Sequence, residues 1–277
     1  FTQNQEGIMK KIISLVLIGA MTLTMLVGCS KEKAADNASD TASSEGRKFT
    51  VGFDAEFPPY GYKDDSGEYV GFDLDLAAEV CKRKGWELVK QPIDWDSKDM
   101  ELSSGAIDCI WNGFTIQGRE DAYTWSVPYV DNSQVFVVKA SSGVKSPKDL
   151  AGMSVGVQKD SSALAALEGD SADLAATFGE LIQYADYNTA FMDLEAGAVS
   201  AVAIDKGVAD YQLSARGDEY VILEEQLASE QYGIGFLKGN DALKDEVESV
   251  LMEMVNVGTF MKIAEKYGLT DSVCLGK

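Results

Sequence analysis

The sequence predicts an α/β fold in which two lobes are joined by two crossing segments. Short β-branched runs alternate with amphipathic stretches, polar loops follow the runs, and glycines accompany a late return crossing. The order of these elements places one lobe at about 49–133 plus 233–277 and the other at about 138–229. A ligand cleft is expected between the lobes, because ligands of open α/β sheets bind where strands end.

The first lobe begins with a predicted strand at 49–53. The prolines of the next segment, Asp-Ala-Glu-Phe-Pro-Pro-Tyr at 54–60, cannot continue a strand ladder, so this segment is a loop. A helix is expected from about residue 73, with Asp73 as its N-cap and the acids of this stretch in solvent. Strands at 86–89 and 107–111 follow, with a helix at 97–104 between them.

The segment that organises the prediction is Asn-Gly-Phe-Thr-Ile-Gln-Gly-Arg at 112–119, followed by Trp-Ser-Val-Pro-Tyr at 125–129. The Arg119 guanidinium can take a carboxylate through two parallel hydrogen bonds. The Thr115 hydroxyl both donates and accepts, and Gly113 leaves its carbonyl accessible. Together they could hold the carboxylate and ammonium of an amino acid; the alternative is that Arg119 is a solvated loop charge.

The second lobe is predicted to follow a crossing strand at 135–138. A strand at 153–157 leads into Gln158 and an alanine-rich helix at 163–168, which Ser161 or Ser162 would cap. Free N–H groups and the positive end of the helix dipole make this turn a candidate anion site.

The remaining strands and helices complete both lobes. A helix at 188–194 is expected to begin at Asn188 or Thr189, and an apolar strand at 199–205 ends in Asp205. Asp205 could also cap the helix predicted at 208–215. The predicted elements that follow are strands at 221–223 and 231–236, the second of which is the return crossing, and helices at 241–254 and 259–267.

Composition excludes several classes of function. The 277 residues include 24 Lys and Arg, 45 Asp and Glu and no His, which gives a formal net charge of −21. Nucleic-acid binding is disfavoured because phosphate contacts need clusters of Lys and Arg. The absence of His excludes Ser-His-Asp and Cys-His catalysis and the commonest metal ligand. We expect no catalytic residues, no metal and no cofactor.

Residues 1–28 are predicted to lie outside the fold as upstream residues and a signal peptide. Met9 is the expected start, and two lysines precede an apolar run at 12–27 that is too short for a comfortable membrane span. The run ends in Leu-Val-Gly-Cys, which resembles the lipobox of bacterial lipoproteins, where Cys29 is lipidated. The alternative is a short membrane anchor with an incidental Cys. Residues 29–48 are expected to comprise the lipidated Cys and a flexible tether.

Three cysteines, Cys81, Cys109 and Cys274, remain beyond the lipobox. They show no spacing typical of a zinc site. Cys81 is expected on a helix and Cys109 on a buried strand, which favours free thiols over a disulfide.

From residue 49 to the C-terminus, these motifs resemble those of the extracytoplasmic amino-acid-binding proteins of ABC importers, the polar-amino-acid family of substrate-binding proteins. The family pattern is Gly-x-Thr-Ile-x-x-x-Arg, then Phe-Ser-x-Pro-Tyr. Here the loop before Arg119 is one residue shorter, and Trp125 replaces the usual Phe. The resemblance implies a type II periplasmic-binding-protein fold with a hinge of two crossing segments.

The resemblance also implies roles for individual residues. Phe57 and Trp95 would clamp the ligand, and Asp54 would lie near its side chain. Arg119 and the turn at Ser161 and Ser162 would hold the carboxylate, and Asp205 the ammonium. The predicted ligand residues are Asp54, Phe57, Trp95, Asn112, Gly113, Thr115, Arg119, Gln158, Ser161, Ser162 and Asp205.

The ligand side-chain pocket is expected to include Asp54, Glu56, Trp111, Asn112 and Gln158. Its acids and aromatics favour a cationic or polar side chain over small neutral, acidic or cystine-like ones. The expected partners are an ABC permease with its ATPase and, through the lipid on Cys29, the extracytoplasmic face of the cell membrane; we expect a monomer. The alternatives are a ligand-presenting sensory protein and a cyclohexadienyl dehydratase-like enzyme, for which Glu56 would be the general acid.

Overall fold

The computed structural model describes residues 46–277, which belong to one compact unit, Ala42–Lys277. The predicted signal peptide, the lipidated Cys29 and most of the predicted tether lie outside the described residues. None of the helices in the described part of the chain combines the length and apolar character needed to cross a bilayer.

Residues 46–277 form thirteen strands and eight α-helices. The strands are β1 (Lys48–Phe53), β2 (Glu56–Phe57), β3 (Gly61–Lys63), β4 (Tyr69–Val70), β5 (Glu87–Pro92), β6 (Cys109–Thr115), β7 (Tyr123–Trp125), β8 (Val130–Lys139), β9 (Ser154–Gln158), β10 (Glu180–Tyr184), β11 (Ala201–Asp205), β12 (Tyr220–Ile222) and β13 (Ala228–Leu237). The helices are α1 (Phe72–Lys84), α2 (Lys98–Ser104), α3 (Ser162–Glu168), α4 (Ala172–Ala175), α5 (Tyr187–Ala196), α6 (Lys206–Arg216), α7 (Asp241–Asn256) and α8 (Thr259–Lys266).

Most strands form one sheet in the order β10-β9-β11-β8-β13-β6-β1-β5, with β12 beside β8 and β7 beside β13. At one end β1 runs parallel to β5 and β6, and at the other β9 runs parallel to β10 and β11. The long strands β8 and β13 lie antiparallel in the middle, paired from Ala228–Gln134 to Tyr232–Val130. We call β8 and β13 the crossing strands.

The crossing strands divide the fold into two parts, which we call the first half and the second half. The first half contains β1–β7 with α1, α2, α7 and α8, and the second half contains β9–β12 with α3–α6. The predicted crossing segments at 135–138 and 231–236 fall within β8 and β13. The proposed lobe boundaries stay a prediction.

Apolar side chains fill both faces of the sheet. The largest cluster packs α1, α7 and α8 against the strands of the first half. It continues along the crossing strands to Phe191 and Val202 of the second half. The alternation along β6 sends Cys109 and Trp111 into this cluster and Ile110 and Phe114 into another beneath α2. Cys81 and Cys109 are free buried thiols, as predicted.

The start of α1 corrects the prediction for Asp73. The helix begins at Phe72 with Gly71 in the cap position, where a Cβ would lie 2.1 Å from the Tyr60 carbonyl oxygen. Because the chain enters against this backbone, Asp73 falls inside the first turn and is fully buried. Its Oδ2 accepts hydrogen bonds from the Gly113 N–H at 2.6 Å and the Tyr129 hydroxyl at 2.9 Å. Burial raises the pKa of Asp73 to about 7.

Other helix starts differ more modestly from the predictions. Asp186, and not Asn188 or Thr189, caps α5, by accepting from the Thr189 N–H at 2.7 Å. Ser161 caps α3 by accepting from the Leu164 N–H at 3.1 Å, as predicted. Asp205 occupies the cap position of α6, but its carboxylate makes no cap hydrogen bond.

Candidate functional site

One small, nearly filled cavity between the two halves, of about 10 Å³, collects nearly all of the predicted ligand residues. Its polar lining comes from both halves. Asp54 lies just behind it, and its Oδ2 accepts from Gln158 Nε2 at 2.7 Å. The lining residues are Phe57, Trp95, Asn112, Gly113, Thr115, Arg119, Gln158, Ser161, Ser162 and Asp205.

The first half supplies Arg119 and the end of β6. The strand continues through Thr115, so 112–115 is strand and not loop. A tight turn, in which the Arg119 N–H donates to the Ile116 carbonyl at 2.9 Å, brings the side chain back over the Phe114 ring. Arg119 Nη1 then lies 3.4 Å from the Thr115 carbonyl oxygen. The shortened loop therefore leaves Arg119 and Thr115 on the same cavity.

Gly113 sits where several elements meet. Its φ of +54° lies in the left-handed region that favours glycine. A Cβ at this position would come within 2.8 Å of Phe57 Cε1 and 3.1 Å of Tyr232 Cε2. The backbone therefore passes directly behind the aromatic wall of the cavity, and the hydrogen bond from its N–H to Asp73 fixes it there.

Phe57 and Trp95 are the two aromatic residues of the cavity. Phe57 is buried and packs at 5.8 Å from the Tyr60 ring and 6.0 Å from the Tyr187 ring, between ring centroids. Trp95 is half-buried and meets the Phe114 ring edge-on at 5.5 Å. Both rings face the cavity from the first half.

The second half supplies hydroxyl, amide and carboxylate groups. Thr115 Oγ1 of the first half donates to Ser162 Oγ at 3.2 Å, which joins the two halves across the cavity. Ser161 is also buried, and Gln158 bridges Asp54 to the Ala185 carbonyl.

Asp205 is held by side chains of the crossing strands. Its Oδ1 accepts from the Tyr232 hydroxyl at 2.6 Å and from Gln134 Nε2 at 2.7 Å. The same Gln134 nitrogen lies 2.7 Å from Glu230 Oε1, and Asn132 Nδ2 also contacts both carboxylates. Burial, and then the nearby Glu230 charge, raise the pKa of Asp205. Within the described residues, the side chains that donate hydrogen bonds to Asp205 are all neutral, so its carboxylate has no cationic partner among them; they are Asn132, Gln134, Tyr187 and Tyr232.

Sequence reasoning missed Gln134 and Glu230. Gln134 is fully buried, its Nε2 lies 2.8 Å from Ser162 Oγ, and its Oε1 has no partner within the described residues. The available signal was the occurrence of polar residues in otherwise apolar crossing strands, where burial without a partner is costly.

Asp54, beside the cavity, and Asn112, in its lining, are joined by a hydrogen bond. The Asp54 N–H donates to Asn112 Oδ1 at 3.0 Å, and the Glu56 N–H donates to Asp54 Oδ1 at 2.8 Å. Burial raises the pKa of Asp54 to about 6. Asn112 is buried, and its Nδ2 has no partner in the part of the chain that the structure describes.

Two residues of the expected side-chain pocket lie elsewhere. Trp111 is fully buried in the core on the opposite face of β6 from Asn112, because neighbouring strand residues point to opposite faces. Glu56 is exposed, bonds to Asn188 and lines an open depression beside the cavity. Within residues 46–277 no group of three or more acidic or cysteine side chains could hold a metal ion.

Two α/β halves, two antiparallel crossing strands and a polar cavity between the halves define a type II periplasmic-binding-protein fold, and similar solved structures include amino-acid-binding proteins. The chain belongs to the bacterial extracellular solute-binding proteins, family 3, whose family model matches residues 49–270. The predicted family and fold class are confirmed.

Individual relatives match over most of their length. The chain is 28% identical over 254 residues to the L-cystine-binding protein TcyJ of Escherichia coli (strain K12), covering 91% of this chain and 94% of TcyJ. An ABC uptake transporter substrate binding protein from Streptococcus pneumoniae with bound histidine has 35% identity and a TM-score of 0.77, covering 79% of this chain and 92% of that chain. The ancestral amino-acid-binding protein AncCDT-1, a precursor of cyclohexadienyl dehydratase, has 28% identity and a TM-score of 0.72, covering 79% and 95% of the two chains.

Proposed function

We propose that the protein binds a free amino acid in the cavity between its halves and delivers it to an ABC importer. The observation that carries the proposal is the meeting of Arg119 and Thr115 of the first half with Ser162 and Asp205 of the second around one cavity. The guanidinium suits a carboxylate, and the buried carboxylate suits an ammonium. No covalent step is required.

The two-sided arrangement explains how binding would be signalled. A ligand held by Arg119 alone gains only half of its contacts, so both ends of the zwitterion are satisfied only when the halves close. The ligand therefore favours the closed form by its differential affinity for that form. A membrane permease could then distinguish a loaded protein from an empty one.

The charges that remain favour a cationic or polar ligand side chain. Arg119 would pair with the ligand carboxylate and Asp205 with its ammonium. Asp54 would then act on the ligand side chain through Gln158, which lines the cavity and donates a hydrogen bond to Asp54. With a pKa of about 6, Asp54 is ionised at neutral pH. Phe57 and Trp95 can cover an aliphatic stem or stack on a cation.

We further propose that Cys29 carries a lipid that holds the protein at the extracytoplasmic face of the cell membrane, where it works as a monomer. The support is the Leu-Val-Gly-Cys sequence after a short apolar run, together with membership of an extracellular family.

The first experiment is a thermal-shift screen of the twenty amino acids plus ornithine and cystine. A ligand present at 100 times its Kd adds about 2.7 kcal/mol of stability, which a melting curve detects readily. Stabilisation by one or a few amino acids supports the proposal, and a screen in which none of them stabilises the protein refutes it.

Calorimetry on Arg119→Ala tests the site itself. Removing one partner of a buried charge pair costs about 2–5 kcal/mol, so Kd should rise at least about 30-fold. Arg83→Ala is the matched control, because Arg83 pairs with Glu79 at 2.9 Å on the surface of α1, away from the cavity. An Arg119→Ala protein with unchanged affinity would show that the ligand is held elsewhere.

A dehydratase activity is the second candidate, and the likeness to AncCDT-1 is what favours it. Such an enzyme needs a general acid in the cavity, and Glu56 is exposed and outside it. Incubation with prephenate and arogenate, followed by chromatography of the products, should show no elimination; turnover would overturn the assignment as a binding protein.

A further inference from the structure

Lys98 is a buried cation for which the binding proposal has no use. It is the first residue of α2, and its side chain is 1% exposed. Its ammonium lies 5.1 Å from the centre of the Trp95 ring and 3.4 Å from the Trp95 carbonyl oxygen. Its ion-pair partner is Asp160, which belongs to the turn between β9 and α3 in the second half. Among the ion pairs of residues 46–277, this is the one that joins the two halves.

Asp160 has an unusual backbone conformation. With φ at +53°, it is the one non-glycine residue in the described part of the chain with a positive φ. Glycine would adopt this conformation without cost, whereas other residues pay about 1 kcal/mol or more. The Asp160 carbonyl also accepts from Arg119 Nη2 at 3.1 Å. Asp and Asn adopt this conformation more readily than other non-glycine residues, so the turn can hold an aspartate whose carboxylate reaches Lys98.

The two partners are buried to different degrees, and this difference decides how the pair works. The Asp160 side chain is 51% exposed, so water can solvate its carboxylate if Lys98 is removed. Lys98 has almost no water contact, so its ammonium would stay unpaired if the carboxylate were removed, which is strongly unfavourable. Burial lowers the pKa of Lys98 and Asp160 acts in the opposite direction, as expected for a cation that needs this partner.

We propose that Lys98 and Asp160 form a latch that holds the two halves together without a ligand and thereby sets ligand affinity. Neither residue needs to touch the ligand. When the halves separate, Asp160 moves away with the second half. Separation therefore breaks the ion pair and leaves the ammonium of Lys98 without its carboxylate partner. The latch therefore raises the population of closed protein, and apparent affinity rises with the fraction that is competent to bind. This inference rests on the proposed function only in requiring halves that open and close.

The test measures the distance between the halves in protein that carries no ligand. Spin labels are placed at Met100→Cys on α2 and Met192→Cys on α5, which are 66% and 64% exposed. Glu101 of α2 and Asp186 at the start of α5 line the same open depression, so the labels flank the mouth of the cleft. The full chain carries Cys29→Ser and Cys274→Ser, so that these thiols are not labelled. Double electron–electron resonance then gives the distance distribution.

Four variants separate the latch from a merely structural effect. Asp160→Asn should reduce the ratio of short to long distances at least tenfold, because it strands Lys98. Asp160→Gly should do the same although it relieves the backbone strain. Lys98→Met should reduce the ratio less than either. The double variant Lys98→Met with Asp160→Asn should be more closed than Asp160→Asn, because no ammonium is left unpaired, but less closed than wild type, because the ion pair is absent.

The control is Asp210→Asn, which removes the exposed 2.6 Å ion pair with Lys206 inside α6 and should leave the distribution unchanged. The proposal is overturned by a wild-type distribution without short distances, by Asp160→Asn behaving like wild type, or by a double variant that is either as closed as wild type or as open as Asp160→Asn. Because no ligand is added, these results stand apart from the amino-acid screen. A screen without a hit would refute the proposed function and leave the latch measurement intact.

Discussion

Gly113→Ala probes the point where the cavity wall, α1 and the crossing strands meet. The native φ of +54° lies in the left-handed region, where a Cβ costs about 1–2 kcal/mol. The new methyl group would also lie 2.8 Å from Phe57 Cε1, which is too close, and 3.1 Å from Tyr232 Cε2, which is a tight contact. Phe57 packs against Tyr60 and Tyr187 and lines the cavity, so a shift of its ring changes the shape of the cavity.

Two losses are therefore expected from one methyl group. The free energy of unfolding, measured by urea denaturation, should fall by about 2–5 kcal/mol, the sum of φ strain and overpacking. Ligand affinity, measured by calorimetry with an amino acid from the screen, should fall about tenfold or more, because the shifted Phe57 ring changes the shape of the cavity.

Gly197→Ala is the matched control. Gly197 ends α5 with φ at +80°, and a Cβ there would meet nothing within 4 Å. It should lose about 1 kcal/mol of stability from φ strain and keep its affinity. If Gly113→Ala binds its ligand as tightly as Gly197→Ala does, Phe57 is not part of the ligand-binding wall.

Three further predictions concern groups with distinct protonation or anchoring roles. The pKa of Asp73 is about 7 in the folded protein and near 4 when unfolded, so its contribution to stability is present at low pH and is lost as pH rises through about 7. Asp73→Asn should remove this part of the fall, and urea denaturation at about pH 5 and pH 8 measures it; an unchanged pH slope would contradict the assignment. Burial raises the pKa of Asp205 most and the Glu230 charge adds to it, so Glu230→Gln should let Asp205 ionise more readily. Calorimetry at about pH 6 and pH 8 should show affinity rising with pH in the wild type and rising less in the variant; equal slopes would exclude the coupling. Cys29→Ser should release the protein from membranes, and continued sedimentation with the membrane fraction would argue against the lipid anchor.

Local sequence signals predicted most of the fold and most of the cavity. The proline-rich loop after β1, the polar turn after β9 and Asp205 at the end of β11 all follow strands that β-branched residues define. Because the ends of these strands face one another across the sheet, predicting the strands also predicted which loops meet. Arg119 was found because its motif places a fork-shaped cation four residues after a hydroxyl.

The errors arose where tertiary contacts decide the outcome. Asp73 looks like a helix cap because it precedes an apolar stripe, but the close approach of Gly71 to Tyr60 turns it inward. Trp111 was assigned to the pocket by its place next to Asn112, although neighbouring strand residues face opposite sides.

The missed residues act across long separations in sequence. Lys98 meets Asp160 over 62 residues, and Gln134 meets Glu230 over 96. Nothing in the local pattern of either segment names its partner. In the sequence, Lys98 resembles an ordinary surface lysine at the start of a helix. Its burial becomes visible only in the folded structure, where its side chain is 1% exposed.

The pairing between β8 and β13 constrains how the cleft can move. Any rotation of one half against the other must pass through two strands that are hydrogen-bonded to each other from Ala228–Gln134 to Tyr232–Val130. Such a ribbon twists along its length more easily than it splays apart, because splaying would break the ladder. The two halves should thus rotate about a single preferred axis along the crossing strands. Backbone amides in the ladder of these strands should be protected from hydrogen exchange even when the cleft opens.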